Sequence, residues 1–154
     1  MGDAGAVGKR APVVITSLPS AGALAETSEA LAAAGHAGQI IIETSTLPIE
    51  VKQAARKRLA PRRITLLDCP LSGTSAQART EDLVVLASGA KSAYRKCIPV
   101  FEGFARAHYL VGPFGDGSKM KFIANLLVRF ITSRRPRLWS SGSNQAWIRR
   151  RYSR

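Results

Sequence analysis

The sequence is poor in the residues that usually announce a metal site or a compartment. It holds two cysteines and two histidines in 154 residues. Neither pair has metal-ligand spacing, so no metal is expected. Cys69 and Cys97 read as reduced thiols of a cytoplasmic protein without a signal peptide. No apolar run approaches the roughly 20 residues that span a bilayer, and the start "MGDAGA" lacks the hydroxyl residue of a myristoylation site. A membrane partner is not expected. Acidic residues are missing from one end: residues 129–154 carry eight Arg and no Asp or Glu, whereas residues 1–128 carry 15 Lys plus Arg against 10 acids. The net charge of +13 is therefore mostly a property of the tail, not of a basic surface over the whole protein.

What is present is a regular alternation. "PVVITSLP" (12–19) is β-branched and apolar without alternation, which suits a strand buried on both faces of a parallel sheet. The Ala-rich run that follows predicts a helix stopped at Gly35 and Gly38. "QIIIETS" (39–45) predicts a second strand. A helix then starts near Pro48, with Val51, Ala54, Ala55 and Leu59 as its apolar face. "RITLLDCP" predicts a third strand ending at Asp68. "DLVVLASG" (82–89), a helix through "KSAYRKCIPVFEGF" and a strand "AHYLVG" complete the order. This is an α/β pattern with a mostly parallel sheet. The first ten residues have GxxGxxG spacing, with no strand before them and no Ser or Thr after Lys9, so they read as a flexible leader and not as a phosphate loop.

Ligands of such sheets bind beyond the carboxyl ends of the strands. The loops there are "SLPS", "ETSTLP" and "DCPLSGTSAQA", rich in small hydroxyl residues and glycine, which let a backbone approach a ligand. Each loop alone reads more readily as a turn, since Ser, Gly and Pro clusters more often just make turns. His36 and His108 stand isolated and receive no role.

Taken in order, "VVITSLPS", "ETSTLP", "LLDCPLSGTSAQA", "LVVLASG" and "GPFGDGSKMKFIANLLV" resemble the β-hydroxyacid dehydrogenases over about residues 11–128. That family includes 3-hydroxyisobutyrate dehydrogenase and is related to 6-phosphogluconate dehydrogenase. The resemblance implies a partial Rossmann-like dinucleotide-binding domain, the later half of its parallel sheet with flanking helices (11–114). The start of the long interdomain helix follows (115–128). It implies NAD or NADP as cofactor and a small hydroxy acid or its semialdehyde as substrate. Leu18, Pro19 and Thr46 are then cofactor contacts, as are Gly115 and Gly117 of the motif GxGxxxKxxxN. Glu43 stands where the family usually has Asp. Ser72 and Gly73 would hold the substrate carboxylate, with Thr74 replacing a family glycine, a change that matters if the backbone there needs positive φ.

Within that motif, Lys121 and Asn125 are four apart, on one face of a helix. The reaction moves a hydride between an alcohol carbon and the nicotinamide, and a proton must leave or join the hydroxyl oxygen. A lysine ammonium within hydrogen-bond reach can supply it and stabilise the developing alkoxide. Lys121 is the expected general acid/base and Asn125 the residue orienting the substrate hydroxyl. Lys119, two positions away, is the alternative lysine and faces elsewhere.

Two family parts have no counterpart in this sequence. One is the strand and GxGxxG turn that seat the pyrophosphate. The other is the helical C-terminal domain that completes the substrate site and the dimer. Weak cofactor binding, little or no activity, an exposed sheet edge and loss of family-type dimerisation are expected. A consistent choice of codons for residues 129–150 lets the neighbouring frame read VHNVAAAEALVLGKQSGLDPA, which resembles the family's next helix and turn. The tail (129–154) is therefore expected to be an irregular segment read one base out of frame. The alternatives are a non-catalytic remnant and a nucleic-acid-binding tail that uses its Arg cluster with Trp139, Trp147 and Tyr152.

Overall fold

The structure, a computed structural model, describes residues 3–133. β1 (Val13–Thr16), β2 (Ile40–Glu43) and β3 (Thr65–Asp68) lie side by side and parallel. β4 (Leu71–Ser72) is short. β5 (Leu83–Ser88) and β6 (Ala105–Gly112) form a further parallel pair. β5 joins the two parts: it is antiparallel to β3 at Asp68↔Ser88 and to β4 at Leu71↔Val85 and Ser72↔Val84. Between these contacts the Cys69 N–H still reaches back to the Glu43 carbonyl at 2.8 Å, while the Leu86 N–H reaches the Pro70 carbonyl at 3.1 Å. The chain thus changes partner, from β2 to β5, within Asp68–Pro70.

The apolar strand runs fill both faces of this sheet. Ile40 and Ile42 pack with Leu67, Val85, Cys97 and Phe101. Ile41, between them, packs on the opposite face with Val14, Leu24, Leu31 and Leu59. The period of two is that of any strand, and burial of both faces is why the sequence shows no polar alternation. α2 (Ala21–Ala34), α3 (Ile49–Leu59) and α5 (Lys91–Glu102) supply the covering layers. α2 opens with the Ser20 hydroxyl accepting the Ala23 N–H at 3.2 Å, which satisfies a donor that the helix itself leaves unpaired. α4 (Ser75–Arg79) is a single capped turn, and α6 (Asp116–Ser133) closes the described chain.

Four expectations are corrected. Residues 4–10 form a helix, α1 (Ala4–Arg10), not a flexible leader. Asp3 caps it through the Ala6 N–H at 2.8 Å, and the Gln39 side chain donates to the carbonyls of Gly8 and Ala11. β1 is not buried on both faces: it pairs with β2 alone among the described residues, and Ile15 is 48% exposed. On α3, Ala54 is exposed, and Lys52 takes the buried face with Ala55 and Leu59. The break expected after Val128 is absent, because α6 runs through Ser133. The remainder of the basic tail, with the Trp and Tyr residues on which the nucleic-acid reading rests, lies outside the described residues.

The chain divides into two units, Met1–Phe122 and Ile123–Arg154. The first contains the whole sheet. In the second, the helical residues Ile123, Leu126, Leu127, Val128, Phe130 and Ile131 are exposed.

Candidate functional site

The loops after β1 and β2 are tied by one buried carboxylate. Glu43, fully buried at the end of β2, accepts hydrogen bonds from the Thr16 hydroxyl and, at 2.8 Å, from the Ser45 N–H. The Thr44 hydroxyl donates to the Thr16 carbonyl at 2.8 Å, and the Leu18 N–H donates to the Ser45 hydroxyl at 2.7 Å. Leu18 is consequently held beside the Ser45–Thr46 turn, half-buried, while Pro19 and Thr46 are exposed. The Glu43 carboxyl group is turned inside, away from the loop surface. Neither loop, 17–20 or 44–48, carries another acid. The surface they offer is uncharged and hydroxyl-bearing at the carboxyl ends of parallel strands, which fits a dinucleotide running past without repelling its phosphates.

The third loop begins at a second buried carboxylate. Asp68 is fully buried, and both of its oxygens are used. Oδ1 accepts from Lys52 Nζ at 2.8 Å and from the Ser118 hydroxyl at 2.7 Å. Oδ2 accepts from the Ser118 N–H at 2.9 Å and the Ser88 hydroxyl at 3.0 Å. The Lys52 side chain is 1% exposed, so this is a dry ion pair completed by hydroxyl and backbone donors. Four residues on, Ser72 sits half-buried in β4. Gly73 has φ +144°, and a Cβ there would meet Leu83 Cδ2 at 2.6 Å, so only glycine fits. Thr74 has φ −105° and needs no such freedom. Its hydroxyl accepts the Gln77 N–H, and the Gln77 side chain returns to its backbone, a reciprocal cap on α4. The Thr74 hydroxyl is thus engaged in holding its own helix.

α6 is seated by its glycines and Ser118. The Gly115 N–H donates to the Ser88 hydroxyl at 3.2 Å. A Cβ on Gly117 would lie 2.3 Å from the Leu86 carbonyl oxygen and 3.0 Å from that of Asp68. Gly115 and Gly117, expected at the cofactor, are both buried; a Cβ on Gly115 would meet Ile49 of α3 at 3.2 Å, whereas the close approach of Gly117 is to the sheet. The two lysines separate clearly. Lys119 is exposed and pairs with Asp116 at 2.9 Å. Lys121 is half-buried, three positions beyond Ser118, and its side chain makes no hydrogen bond or ion pair among the described residues. Asn125 is exposed and belongs to the second unit. No hydrogen bond among the described residues joins Leu18, Pro19 or Thr46 to Ser72, Gly73 or Lys121.

Both thiols are buried in the sheet's core. Burial, with the Asp68 charge beside it, pushes the Cys69 thiol far above the ordinary thiol range, and burial pushes Cys97 up to about 11. Tyr94 is raised by burial and by Cys69, and its hydroxyl meets His108 Nδ1 at 2.7 Å. Among the described residues no group of His, Cys, Asp and Glu could hold a metal ion, and no helix is long and apolar enough to cross a membrane. Sequence reasoning missed Lys52, Ser88 and Ser118, and saw Asp68 only as a strand end. A signal existed: Lys52 shares a helical face with Ala55 and Leu59, and a lysine there calls for a buried acid.

Comparison with known proteins gives consistent matches. Residues 3–112 match the family described as the NAD binding domain of 6-phosphogluconate dehydrogenase. L-threonate dehydrogenase of Cupriavidus necator is 33% identical over 125 residues, 79% of this chain and 42% of that protein. 3-Hydroxyisobutyrate dehydrogenase of Pseudomonas aeruginosa is 30% identical over 122 residues, 77% of this chain and 41% of that protein. The solved structure of the Mycobacterium tuberculosis 3-hydroxyisobutyrate dehydrogenase with L-serine superposes with a TM-score of 0.77 at 25% identity, covering 80% of this chain and 43% of that one. The chain thus spans about two-fifths of the length of these curated relatives.

Proposed function

Because the chain belongs to the 6-phosphogluconate dehydrogenase NAD-binding family, among the β-hydroxyacid dehydrogenases, we propose that it serves reversible oxidation of a small β-hydroxy acid to its semialdehyde. On this reading it supplies part of the dinucleotide site and the proton-donating helix. NAD(P), when bound, supplies or takes the hydride. The loops tied by Glu43 carry Leu18, Pro19 and Thr46 along the cofactor. The Ser72 hydroxyl and the Gly73 N–H hold the substrate carboxylate. Lys121 gives a proton to, or takes it from, the substrate oxygen, and Asn125 orients that hydroxyl.

The observation that carries this reading is the contrast between the two lysines of α6. Lys119 is neutralised at the surface by Asp116, whereas Lys121 is half-buried and uncommitted, one turn beyond an anchored serine. A general acid must keep its proton available in this way.

The test is titration of the isotope-labelled chain with NADH and NADPH, followed by fluorescence and amide chemical shifts. Weak binding with shifts confined to residues 17–18 and 44–47 is expected. Saturable binding that leaves these loops untouched would overturn the cofactor assignment. In a hydride-transfer assay with 3-hydroxyisobutyrate and L-threonate, Lys121→Ala should abolish whatever rate the chain shows, and Lys119→Ala should keep it. The opposite pattern would sink the assignment of Lys121.

A further inference from the structure

The Lys52–Asp68–Ser118 cluster is internal and touches no surface where a ligand could sit, yet it is made with unusual completeness. Four donors reach one carboxylate, and they come from α3, the end of β5 and the start of α6. The first four N–H groups of a helix have no partner within it. In α6 the Ser118 N–H is among these, and the residue that accepts it is Asp68, fifty positions earlier in the chain. Asp68 acts as a cap supplied from another element. The Gly115 N–H is taken by Ser88, which also donates to Asp68. The first turn of α6 is thereby held at the Gly115 N–H, the Ser118 N–H and the Ser118 hydroxyl, all referred to the place where the chain changes partner strand.

Lys121 is three residues beyond Ser118, hence on the same face one turn along. Whatever fixes the rotation of α6 about its axis at Ser118 fixes the direction in which Lys121 leaves the helix. A one-sided carboxylate does this better than an apolar contact, because hydrogen bonds are directional and apolar packing is not. Lys52 has a separate part: it sets an opposite charge against the carboxylate in a dry environment, where an unpaired charge would be costly. Gly117 removes the side chain that would hold the helix off the sheet.

We propose that Asp68, neutralised by Lys52, is the positioning residue for Lys121: through Ser118 it sets the rotation of the first turn of α6, and with it the direction of the lysine ammonium. The proposal rests on the reading of Lys121 as proton donor, and its test is independent of catalysis.

The experiment is pulsed acylation of the full chain with an amine-reactive reagent, with labelling of Lys121 measured by mass spectrometry relative to Lys9 and Lys96. It is paired with amide hydrogen exchange at residues 117–121. Ser118→Ala should change the Lys121 ratio by at least about threefold and speed local exchange while amides of β2 and β5 keep their protection, because the loss is a local opening. Ser118→Thr, which retains the hydroxyl, should restore the ratio to within about twofold of wild type. Since Asp68→Asn alone leaves Lys52 buried without its partner, the Asp68→Asn/Lys52→Met double variant is the second arm, and it should reproduce the Ser118→Ala pattern. An unchanged Lys121 ratio in both arms overturns the proposal. So does a loss of protection spread evenly over the sheet, which is the mark of a merely structural role. If instead Lys121 proves dispensable for hydride transfer while its ratio still responds to Ser118→Ala, the functional reading fails and the positioning stands.

Discussion

Ser118 gives both its backbone N–H and its hydroxyl to the carboxylate of Asp68, at 2.9 and 2.7 Å, across fifty residues of sequence. The same carboxylate holds Lys52 at 2.8 Å, so one group joins the end of β3, the buried face of α3 and the first turn of α6.

Breaking this pair from one side should be costly. Asp68→Ala leaves a buried ammonium without a partner and is expected to lose about 3–5 kcal/mol in urea denaturation. Lys52→Met, which leaves Asp68 with its hydroxyl and backbone donors, should lose less, and the double change should cost clearly less than the sum. Additive losses in the double-mutant cycle would show that the two charges do not support each other.

Gly117 and Thr74 should differ although both sit at helix starts. A methyl on Gly117 meets the Leu86 carbonyl oxygen at 2.3 Å, so Gly117→Ala must push α6 away and should cost on the order of 1–3 kcal/mol or more. Thr74→Ala removes one cap of a surface turn and should cost about 1 kcal/mol. Thermal melts that rank the two in reverse would contradict the close seating of α6.

Glu43 should control loop order more than global fold. Glu43→Ala strands the Ser45 N–H, at about 1–3 kcal/mol for a donor left unpaired, and leaves the Thr16 hydroxyl only the Ile42 carbonyl at 3.4 Å. Amide signals of residues 17–18 and 44–46 should broaden before those of β5. Glu43→Asp, with a shorter reach, should retain part of the order. Equal effects of the two changes on the loops would mean that reach is irrelevant there.

The thiols predict an alkaline limit. Cys97 ionises near 9.0 when exposed and near 11 in the fold, because burial disfavours the thiolate. Below the lower value both states hold the proton and the thiol contributes no pH dependence. Between the two values the unfolded chain has released its proton and the folded chain has not, so stability falls as pH rises, and this contribution levels off above the higher value. The melting temperature should therefore drop faster from pH 8 to 10.5 in wild type than in Cys97→Ala. At neutral pH neither Cys97 nor Cys69, both fully buried, should react with a disulfide reagent before urea unfolds the chain. Rapid native-state labelling of either would contradict their burial.

Much of the fold was legible because it is written in local patterns. Apolar β-branched runs such as 40–43 and 83–88 became strands, and Pro48 marks a helix start where the structure has it. Lys121 was singled out by motif resemblance, and the structure adds that Lys119 is committed to Asp116. Local patterning misled at α1, whose Gly-rich start reads as a leader until Gln39 is seen holding it. It misled again at Ala54 and Lys52, where a lysine and not an alanine belongs to the inner face.

By itself the sequence determined the alternation of the longer strands and helices from β1 to β3 and from β5 to α6, the hydroxyl loops at the strand ends and the helix bearing Lys121, since each depends on spacing within a few residues. Tertiary structure alone decided that β5 runs against β3, that the chain changes partner at Asp68–Pro70, and that one carboxylate there gathers donors from 16, 20 and 50 residues away. Those pairings have no local signature. They exist because burial forces every charged and backbone group at the centre of the sheet to find its partner, wherever in the chain that partner lies.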